Sequence, residues 1–195
     1  MDEHLFRIFY GAERGALTWL AAAFTVLGNG WIALALLPLL AWRRHRAPAL
    51  ALTLVLAVTA AAVFVLKLFV HRARPCNSLA GVQCLWGNPP TDFSFPSGHA
   101  AGSFAFVAFL GAVVFASAET RMRRTARLAV CLAGLLSASC IAASRVYLGV
   151  HFPGDVVAGS CLGAAIGLLG ARAHLQKGTA KRSRCSESAT DPTLT

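Results

Sequence analysis

Charged side chains are scarce in this sequence, and acidic ones are the scarcest. Charged residues make up 13% of the 195 positions, with eight Asp and Glu against eighteen Lys and Arg, whereas soluble domains carry about 25% charged residues. Hydrophobic residues make up 56% of the chain. This composition has too few charges to cover a water-facing surface, so we expect lipid to surround most of the protein.

Further features of the composition exclude other classes of protein. The net charge of +10 would suit nucleic acid, but the basic residues lie between apolar runs and near the C-terminus without interleaved aromatic residues, so we expect no nucleic-acid partner. The six cysteines lack the spacing of metal ligands, and no acidic cluster suits Mg²⁺. The N-terminus lacks the basic segment of a signal peptide, so the first apolar run is interpreted as a retained helix.

Alternation of polar and apolar residues is also rare, which argues against a membrane barrel. Five apolar runs instead approach or exceed the roughly 20 residues with which a helix crosses a bilayer. These runs are Leu17–Ala41, Ala49–Leu66, Ala100–Ala118, Leu128–Ala143 and Val156–Gly170. The sequence therefore predicts an all-α, polytopic membrane bundle of about five transmembrane helices.

Basic residues between the runs predict the orientation of the helices. Those that follow the first, third and fifth runs form the richer set: Arg43, Arg44, Arg46, Arg121, Arg123, Arg124, Arg127, Arg172, Lys177, Lys181, Arg182 and Arg184. The positive-inside rule assigns the richer side to the cytoplasm. The N-terminus and the connections after the second and fourth runs then face outward, and the C-terminus is cytoplasmic.

The two ends of the chain differ from its apolar centre. In "HLFRIFY", Leu5, Ile8 and Phe9 share one helical face, so this segment either forms an interfacial helix at the outer surface or is a frayed terminus. Residues 177–195 are small, polar and partly basic, and we expect them to form a disordered cytoplasmic tail. Residues 1–176 would then form the single membrane domain.

The connection after the second run carries cations on the side where the positive-inside rule disfavours them. In "VLKLFVHRARPC", Lys67 lies at the end of the apolar run and Arg74 follows it. Such residues either snorkel to the interface as anchors or bind an anion there. Their place on the outward side favours anion binding.

Polar residues also begin the third run. In "FSFPSGHAAG" we expect the helix to start near Ser97, so that backbone N–H groups of its first turn point outward, where they can bind an anion. Gly98 would let a ligand approach the backbone closely, and His99 follows it. Taken alone, the same pattern fits an ordinary N-cap in a tight turn.

The connection before the fifth run, "SRVYLGVHFPGD", contains Arg145, His151 and Asp155. His151 and Asp155 are four residues apart and meet on one face if the last helix begins at Pro153. Asp155 then caps that helix, orients His151, or does both. The alternative for His151 is an interfacial side chain without a catalytic role.

Together the three stretches hold the groups that phosphate chemistry requires. A phosphate ester carries about two negative charges near neutral pH, which fixed cations and backbone dipoles stabilise in the transition state. A neutral imidazole can attack phosphorus to form a phosphohistidine, and a second imidazole can protonate the leaving oxygen. His151, held by Asp155, is the candidate nucleophile, and His99 is the candidate acid.

These stretches resemble the signature of the type 2 phosphatidic acid phosphatase superfamily, membrane lipid phosphate phosphatases that share a core with vanadium haloperoxidases. The family pattern K-x6-RP, PSGH and SR-x5-H-x3-D is matched in order by Lys67–Pro75, Pro96–His99 and Ser144–Asp155. The resemblance implies a helical fold with its active site at the membrane surface. It also implies removal of phosphate from a lipid without a metal or another cofactor.

The resemblance also implies a role for each signature residue. His151 would be the nucleophile, Asp155 its partner and His99 the acid. The residues expected to bind phosphate are Lys67, Arg74, Ser97, Gly98 and Arg145. The charge argument reaches the same roles, although the choice of His151 over His99 as nucleophile rests partly on the family. His71 and Arg72 occupy variable positions of the first motif and are not predicted to belong to the site.

Short family members with five spans resemble bacterial undecaprenyl-diphosphate phosphatases, and a site on the outer face of the cytoplasmic membrane would meet that lipid. We therefore expect conversion of undecaprenyl diphosphate to undecaprenyl phosphate during cell-wall synthesis. The alternatives are phosphatidylglycerophosphate, the phosphates of lipid A, phosphoryl transfer to a lipid acceptor, and a membrane protein that binds anions without catalysis.

Two cysteines, Cys76 and Cys84, lie in the same outward connection. An oxidising exterior would favour a disulfide between them. The sequence leaves open whether they are bonded.

Overall fold

A computed structural model describes residues 2–11, 15–29, 45–116 and 122–190, with side chains to residue 178. Within these ranges the chain is helical and contains no strand. The helices are α1 (Asp2–Phe9), α2 (Ala16–Leu27), α3 (Arg46–Val70), α4 (Pro75–Ser78), α5 (Gly98–Ala116), α6 (Arg124–Tyr147) and α7 (Pro153–Thr190). The predicted all-α bundle is confirmed.

Four of these helical regions are long and apolar enough to cross a membrane. They lie in α3, α5, α6 and α7 and correspond to the second to fifth predicted runs. Their outer faces carry exposed apolar side chains, such as Phe69 at 79% and Leu136 at 67% exposure, as lipid-facing helices do. The first predicted span begins in α2, and its continuation over residues 30–41 lies outside the described residues.

The C-terminal helix is longer than its apolar run predicts. It begins at Pro153, as expected, and continues to Thr190, so residues 177–190 are helical where a disordered tail is expected from residue 177. Ala, Lys and Arg in this stretch favour a helix, and proline does not interrupt it before Pro192. The division of the chain into a domain and a tail stays a prediction.

A row of glycines brings α7 against the backbone of α5. A Cβ atom added at Gly159, Gly163 or Gly167 would lie 2.5, 2.0 or 2.4 Å from a carbonyl oxygen of α5 or of the residue before it. Such small residues at intervals of four allow membrane helices to approach closely. The contact places the first turns of the two helices side by side, and the N–H of Ser97 donates to the carbonyl of Asp155 at 3.0 Å.

Backbone hydrogen bonds join the segment around α4 to the loop before α7. The N–H of Cys76 donates to Gly149 O at 3.1 Å, and the N–H of Leu85 donates to Leu148 O at 3.2 Å. Gly149 has a φ of +80°, and an added Cβ there would lie 2.6 Å from Gln83 O, so both the conformation and the packing require glycine. The loop after α4 is thereby held against the loop that precedes α7.

Cys76 lies in α4, and Cys84 lies in the loop that follows it. Both are free thiols in the structure; Cys76 Sγ donates to Asn77 Oδ1 at 3.6 Å, and Cys84 Sγ donates to Trp86 O at 3.1 Å. The disulfide between them stays a prediction.

The N-terminal segment is a docked helix and is not frayed. Phe6 of α1 is fully buried, with its ring centroid 5.3 Å from that of Tyr10 and 5.6 Å from that of Phe152. The residues of the predicted interfacial face remain exposed: Leu5, Ile8 and Phe9. That this face lies in the membrane interface stays a prediction.

Candidate active site

The helix α3 and the first half of α5 line a cavity of about 650 Å³, together with Gly28 and Asn29 after α2 and Asp92 in the loop before α5. Lys67, Asp92, Gly98 and His99 line its polar end. The remainder runs along α3 as far as Thr53, which corresponds to about 20 Å at the rise of an α-helix. A charged head and a long apolar chain can therefore share this space.

Arg74 connects the predicted first and third motifs. Its Nη1 donates to His151 Nε2 at 3.0 Å and to Val150 O at 2.8 Å. Its Nε donates to Asp92 O at 3.0 Å. Because a guanidinium has no acceptor, His151 Nε2 must be unprotonated, with the ring proton on Nδ1. The ring is thus a neutral imidazole with a lone pair on Nε2, as nucleophilic attack requires.

Ser94 lies between His151 and Asp155. The distance from His151 Nδ1 to Asp155 Oδ2 is 3.7 Å, longer than a direct hydrogen bond. Ser94 Oγ lies 3.4 Å from His151 Nδ1 and donates to Asp155 Oδ2 at 2.5 Å. All three side chains are buried. Ser94 therefore links the carboxylate to the imidazole.

Asp155 also caps α7, as one of the two predicted roles requires. Its Oδ2 accepts from the N–H of Phe152 at 2.9 Å. The cap and the contact with His151 use the same carboxylate, so both predicted roles apply. Burial of the ring lowers the pKa of His151 from 6.5 to about 4, while the nearby Asp155 carboxylate opposes this decrease and the charge of Arg74 adds to it.

Arg72 contributes to the site although the sequence does not predict it. Its Nη1 donates to Asp155 Oδ1 at 2.7 Å, and its Nη2 donates to Asp2 Oδ2 at 2.6 Å. The other oxygen of Asp2 accepts from the N–H of Gly154 at 2.9 Å. The guanidinium lies 4.0 Å from the centre of the Phe152 ring. Through Arg72, α1 holds the carboxylate that faces His151.

Lys67 and Arg74 meet at a carboxylate that the sequence analysis does not include, Asp92. Lys67 Nζ donates to Asp92 Oδ2 at 2.5 Å and to Phe93 O, and Arg74 Nη2 donates to Asp92 Oδ1 at 2.7 Å. Partial burial of Asp92 opposes its ionisation, but its contacts with the two cations outweigh this effect and lower its pKa below 3.8.

Arg145 is a buried cation without a carboxylate partner among the described residues. Its side chain is 8% exposed, Nη1 donates to Thr25 Oγ1 at 3.0 Å, and Nε has no hydrogen-bond partner in the described part of the chain. It also lies within electrostatic range of the like charge on Arg74. A buried guanidinium without a carboxylate partner favours a bound anion.

The second motif begins α5, as predicted, with helical geometry from Gly98. The amide of Ser97 is already bonded to Asp155 O, and its hydroxyl lies 3.5 Å from the N–H of Ala100 as a cap. The prediction that the Ser97 amide is free for an anion is therefore wrong, because the close contact with α7 uses it. A Cβ on Gly98 would meet nothing closer than Val63 at 3.6 Å, so the protein leaves room there.

His99 faces the cavity from the first turn of α5. Its Nε2 is buried and has no hydrogen-bond partner among the described residues. Unlike His151, it has no carboxylate beside its ring among the residues that the structure describes. An unpaired ring nitrogen beside a cationic cavity can exchange a proton with a bound ligand.

Sequence reasoning missed Arg72, Asp92 and Ser94. A signal was present for the last two, since both are short polar residues in the stretch "TDFSF" that immediately precedes PSGH. Asp92 is also an acid in the connection that carries the cations Lys67 and Arg74 close to its start. Arg72 lies two residues before Arg74, but nothing in the sequence indicates that it reaches Asp155.

Known proteins resemble this chain in sequence and in fold. A family model described as the PAP2 superfamily matches residues 48–178. The chain is 34% identical over 141 residues to the undecaprenyl-diphosphatase of Sulfolobus acidocaldarius, a match that covers 71% of this chain and 61% of that protein. It is 31% identical over 140 residues to the decaprenylphosphoryl-5-phosphoribose phosphatase of Mycobacterium tuberculosis, covering 72% and 69%. The chain thus spans about three fifths of the Sulfolobus relative.

Two crystal structures share the architecture. LpxE of Aquifex aeolicus superimposes with a TM-score of 0.69 at 29% identity, covering 87% of this chain and 93% of that one. A PAP2 type phosphatidylglycerolphosphate phosphatase of Bacillus subtilis gives a TM-score of 0.72 at 24% identity, covering 93% and 85%. At 24% identity, the likeness to the Bacillus protein shows a common fold and nothing more.

Proposed function

This chain belongs to the PAP2 superfamily, and we propose that it is a membrane phosphatase that hydrolyses lipid phosphates through a phosphohistidine at His151. The observation that carries the proposal is the hydrogen bond from Arg74 to His151 Nε2. It leaves His151 neutral, with its lone pair facing the cations that would hold phosphate. The family and the relatives named as phosphatases support the same reaction.

In the first step, the lone pair of His151 Nε2 attacks phosphorus. A phosphate oxygen replaces Nε2 as the acceptor for Arg74, and the N–P bond forms as the bond from phosphorus to the leaving oxygen breaks. His99, in its protonated form, gives its proton to that oxygen. The positive charge that develops on the His151 ring is stabilised by Asp155 through Ser94.

In the second step, water attacks the phosphohistidine. Neutral His99 takes a proton from that water, and the N–P bond breaks, which returns its electron pair to Nε2. Lys67, Arg74 and Arg145 stabilise the charge on the phosphoryl oxygens in both steps. Phosphate then leaves, and the site returns to its starting state.

The substrate we propose is a polyprenyl phosphate, with undecaprenyl diphosphate first. The cavity continues from the cations along α3 between apolar side chains, including Leu56, Val63 and Phe64, which suits a long hydrocarbon chain. Two relatives are named for undecaprenyl and decaprenyl lipids. The positive-inside rule supports a site on the outer face of the cytoplasmic membrane, with the C-terminus inside.

A substrate panel tests the proposal. Purified protein in vesicles would be given undecaprenyl diphosphate, decaprenylphosphoryl-5-phosphoribose, phosphatidylglycerophosphate and lipid A, and released phosphate would be measured. Fastest release from a polyprenyl substrate is expected. Faster release from phosphatidylglycerophosphate or lipid A would contradict the proposed substrate. No release from any of the lipids would contradict the proposal that the protein is a phosphatase.

Two other functions give distinct results in the same assay. A phosphotransferase would form a phosphorylated lipid acceptor in place of free phosphate. An anion-binding membrane protein without catalysis would form neither product. His151→Ala, which removes the nucleophile, serves as the matched inactive control.

A further inference from the structure

The carboxylate of Asp92 lies on the cations that the proposed function assigns to phosphate. One of its oxygens accepts from Lys67 Nζ at 2.5 Å, and the other accepts from Arg74 Nη2 at 2.7 Å. A phosphoryl group would present two oxygens to the same donors in much the same way. A carboxylate and a phosphate cannot both hold these N–H groups.

The exposure of the side chains indicates that Asp92, and not the two cations, can move. The side chain of Asp92 is 57% exposed, whereas those of Lys67 and Arg74 are 12% and 5% exposed. Asp92 also lies in the irregular loop between α4 and α5 and lines the cavity. The acid therefore covers buried cations from the side at which a ligand would arrive.

The cations keep other partners when the Asp92 side chain is removed. Arg74 still donates to Asp92 O, Val150 O and His151 Nε2. Lys67 still donates to Phe93 O. These contacts involve main-chain atoms and His151, so the carboxylate of Asp92 is not needed to hold either cation in place.

From this geometry we infer that Asp92 is an internal competitor for phosphate, which occupies the phosphate position in the empty site and leaves it when substrate binds. The inference rests on the proposed function. It makes Asp92 a residue that sets the affinity for the phosphate group and hence the KM. The acid keeps the buried cations paired while the site is empty, and it weakens the binding of every phosphate ligand.

Inorganic phosphate is the probe that tests this inference. Calorimetric titration of the purified protein should give a Kd about tenfold lower for Asp92→Asn than for the unaltered chain, a change equal to about 1.4 kcal/mol. Asp92→Ala should also bind more tightly. The KM for the lipid substrate should fall in both variants. Glu3→Gln removes a carboxylate that pairs with Arg7 at the surface and is the charge-matched control.

The possible outcomes distinguish a failure of the role inferred for Asp92 from a failure of the proposed phosphate site. Unchanged or weaker phosphate binding by Asp92→Asn, with Arg74→Ala still abolishing binding, would overturn the role of Asp92 and leave the phosphate site standing. A joint loss of kcat and phosphate binding in Asp92→Ala would make Asp92 a positioning residue and would also overturn the inference. If Arg74→Ala binds phosphate as the unaltered chain does, both the site and the inference fail.

Discussion

At the scale of the residue, the chemical state of one imidazole follows from the groups that face its two ring nitrogens. Arg74 can only donate to His151 Nε2, and Ser94 and Asp155 face Nδ1. The proton must therefore lie on Nδ1. Burial favours the uncharged ring over the imidazolium, so the same ring is neutral, with its lone pair on Nε2, before any ligand binds.

We therefore predict that His151 stays neutral well below the usual histidine range. Its pKa of about 4 means that protonation, which removes the lone pair, occurs only as the pH falls towards 4. NMR titration of the unliganded protein with labelled histidine, assigned with His151→Asn, measures this value. A midpoint near 6.5 would show that the ring is neither as buried nor as constrained as the structure indicates.

Ser94→Ala should slow the chemical step. The variant removes the hydroxyl between His151 and Asp155 and leaves a gap of 3.7 Å between the ring and the carboxylate. We expect kcat to fall about tenfold, equal to the loss of one buried hydrogen bond, with little change in KM. Ser137→Ala is the control, because the Ser137 hydroxyl bonds only within its own helix. Equal activities for the two variants would exclude Ser94 from the site.

The sequence predicts the signature residues of the site but not their neighbours. Lys67, Arg74 and His151 stand out because charged and titratable groups are rare in an apolar chain. Asp92 and Ser94 each act on residues far away in the sequence, so their roles depend on the path of a loop that no periodicity describes. Arg72 is missed for the same reason, since its partners are Asp155 and Asp2.

At the scale of the element, the contact between α5 and α7 brings the second and third motifs together. Glycines four residues apart in the last run are visible in the sequence and indicate a close helix contact. The sequence does not show which helix they face. In the structure they face α5, and this contact aligns Ser97 with Asp155 and so uses the amide that was expected to be free.

Gly163→Ala should destabilise the protein by about 1–3 kcal/mol, the usual cost of overpacking. Its Cβ would lie 2.0 Å from Ala101 O, so the two helices must move apart. Gly111→Ala is the control, because its Cβ would meet only Cys131 Sγ at 3.5 Å. Thermal unfolding in detergent compares the variants. Equal transition temperatures would contradict the packing described for α5 and α7.

At the scale of the whole molecule, the distribution of charge determines the face of the membrane on which the site lies. The sequence correctly predicts a helical membrane bundle, because apolar runs and scarce charge are properties of composition. The orientation follows from the positive-inside rule and stays a prediction. The composition of the last residues does not predict that the helix extends to Thr190, because small polar residues are compatible with either a helix or a coil.

Cys84 provides a test of this orientation. Interaction with the neighbouring Cys76 lowers the pKa of the Cys84 thiol from 9.0 to about 6, so the Cys84 thiol should react quickly with a maleimide at pH 7 after reduction. A membrane-impermeant maleimide applied to intact cells should label Cys84 but not Cys185, as measured by peptide mass. Labelling of Cys185 alone would show that the protein has the opposite orientation in the membrane.

The central claim is that phosphate passes through a covalent bond to His151. Purified protein would be mixed with radiolabelled undecaprenyl diphosphate, quenched in alkali within milliseconds, and digested for peptide mass analysis. We predict label on the peptide that contains His151, and neither label nor phosphate release in His151→Ala. Label on His99 in place of His151, or wild-type phosphate release by His151→Ala, would contradict the account.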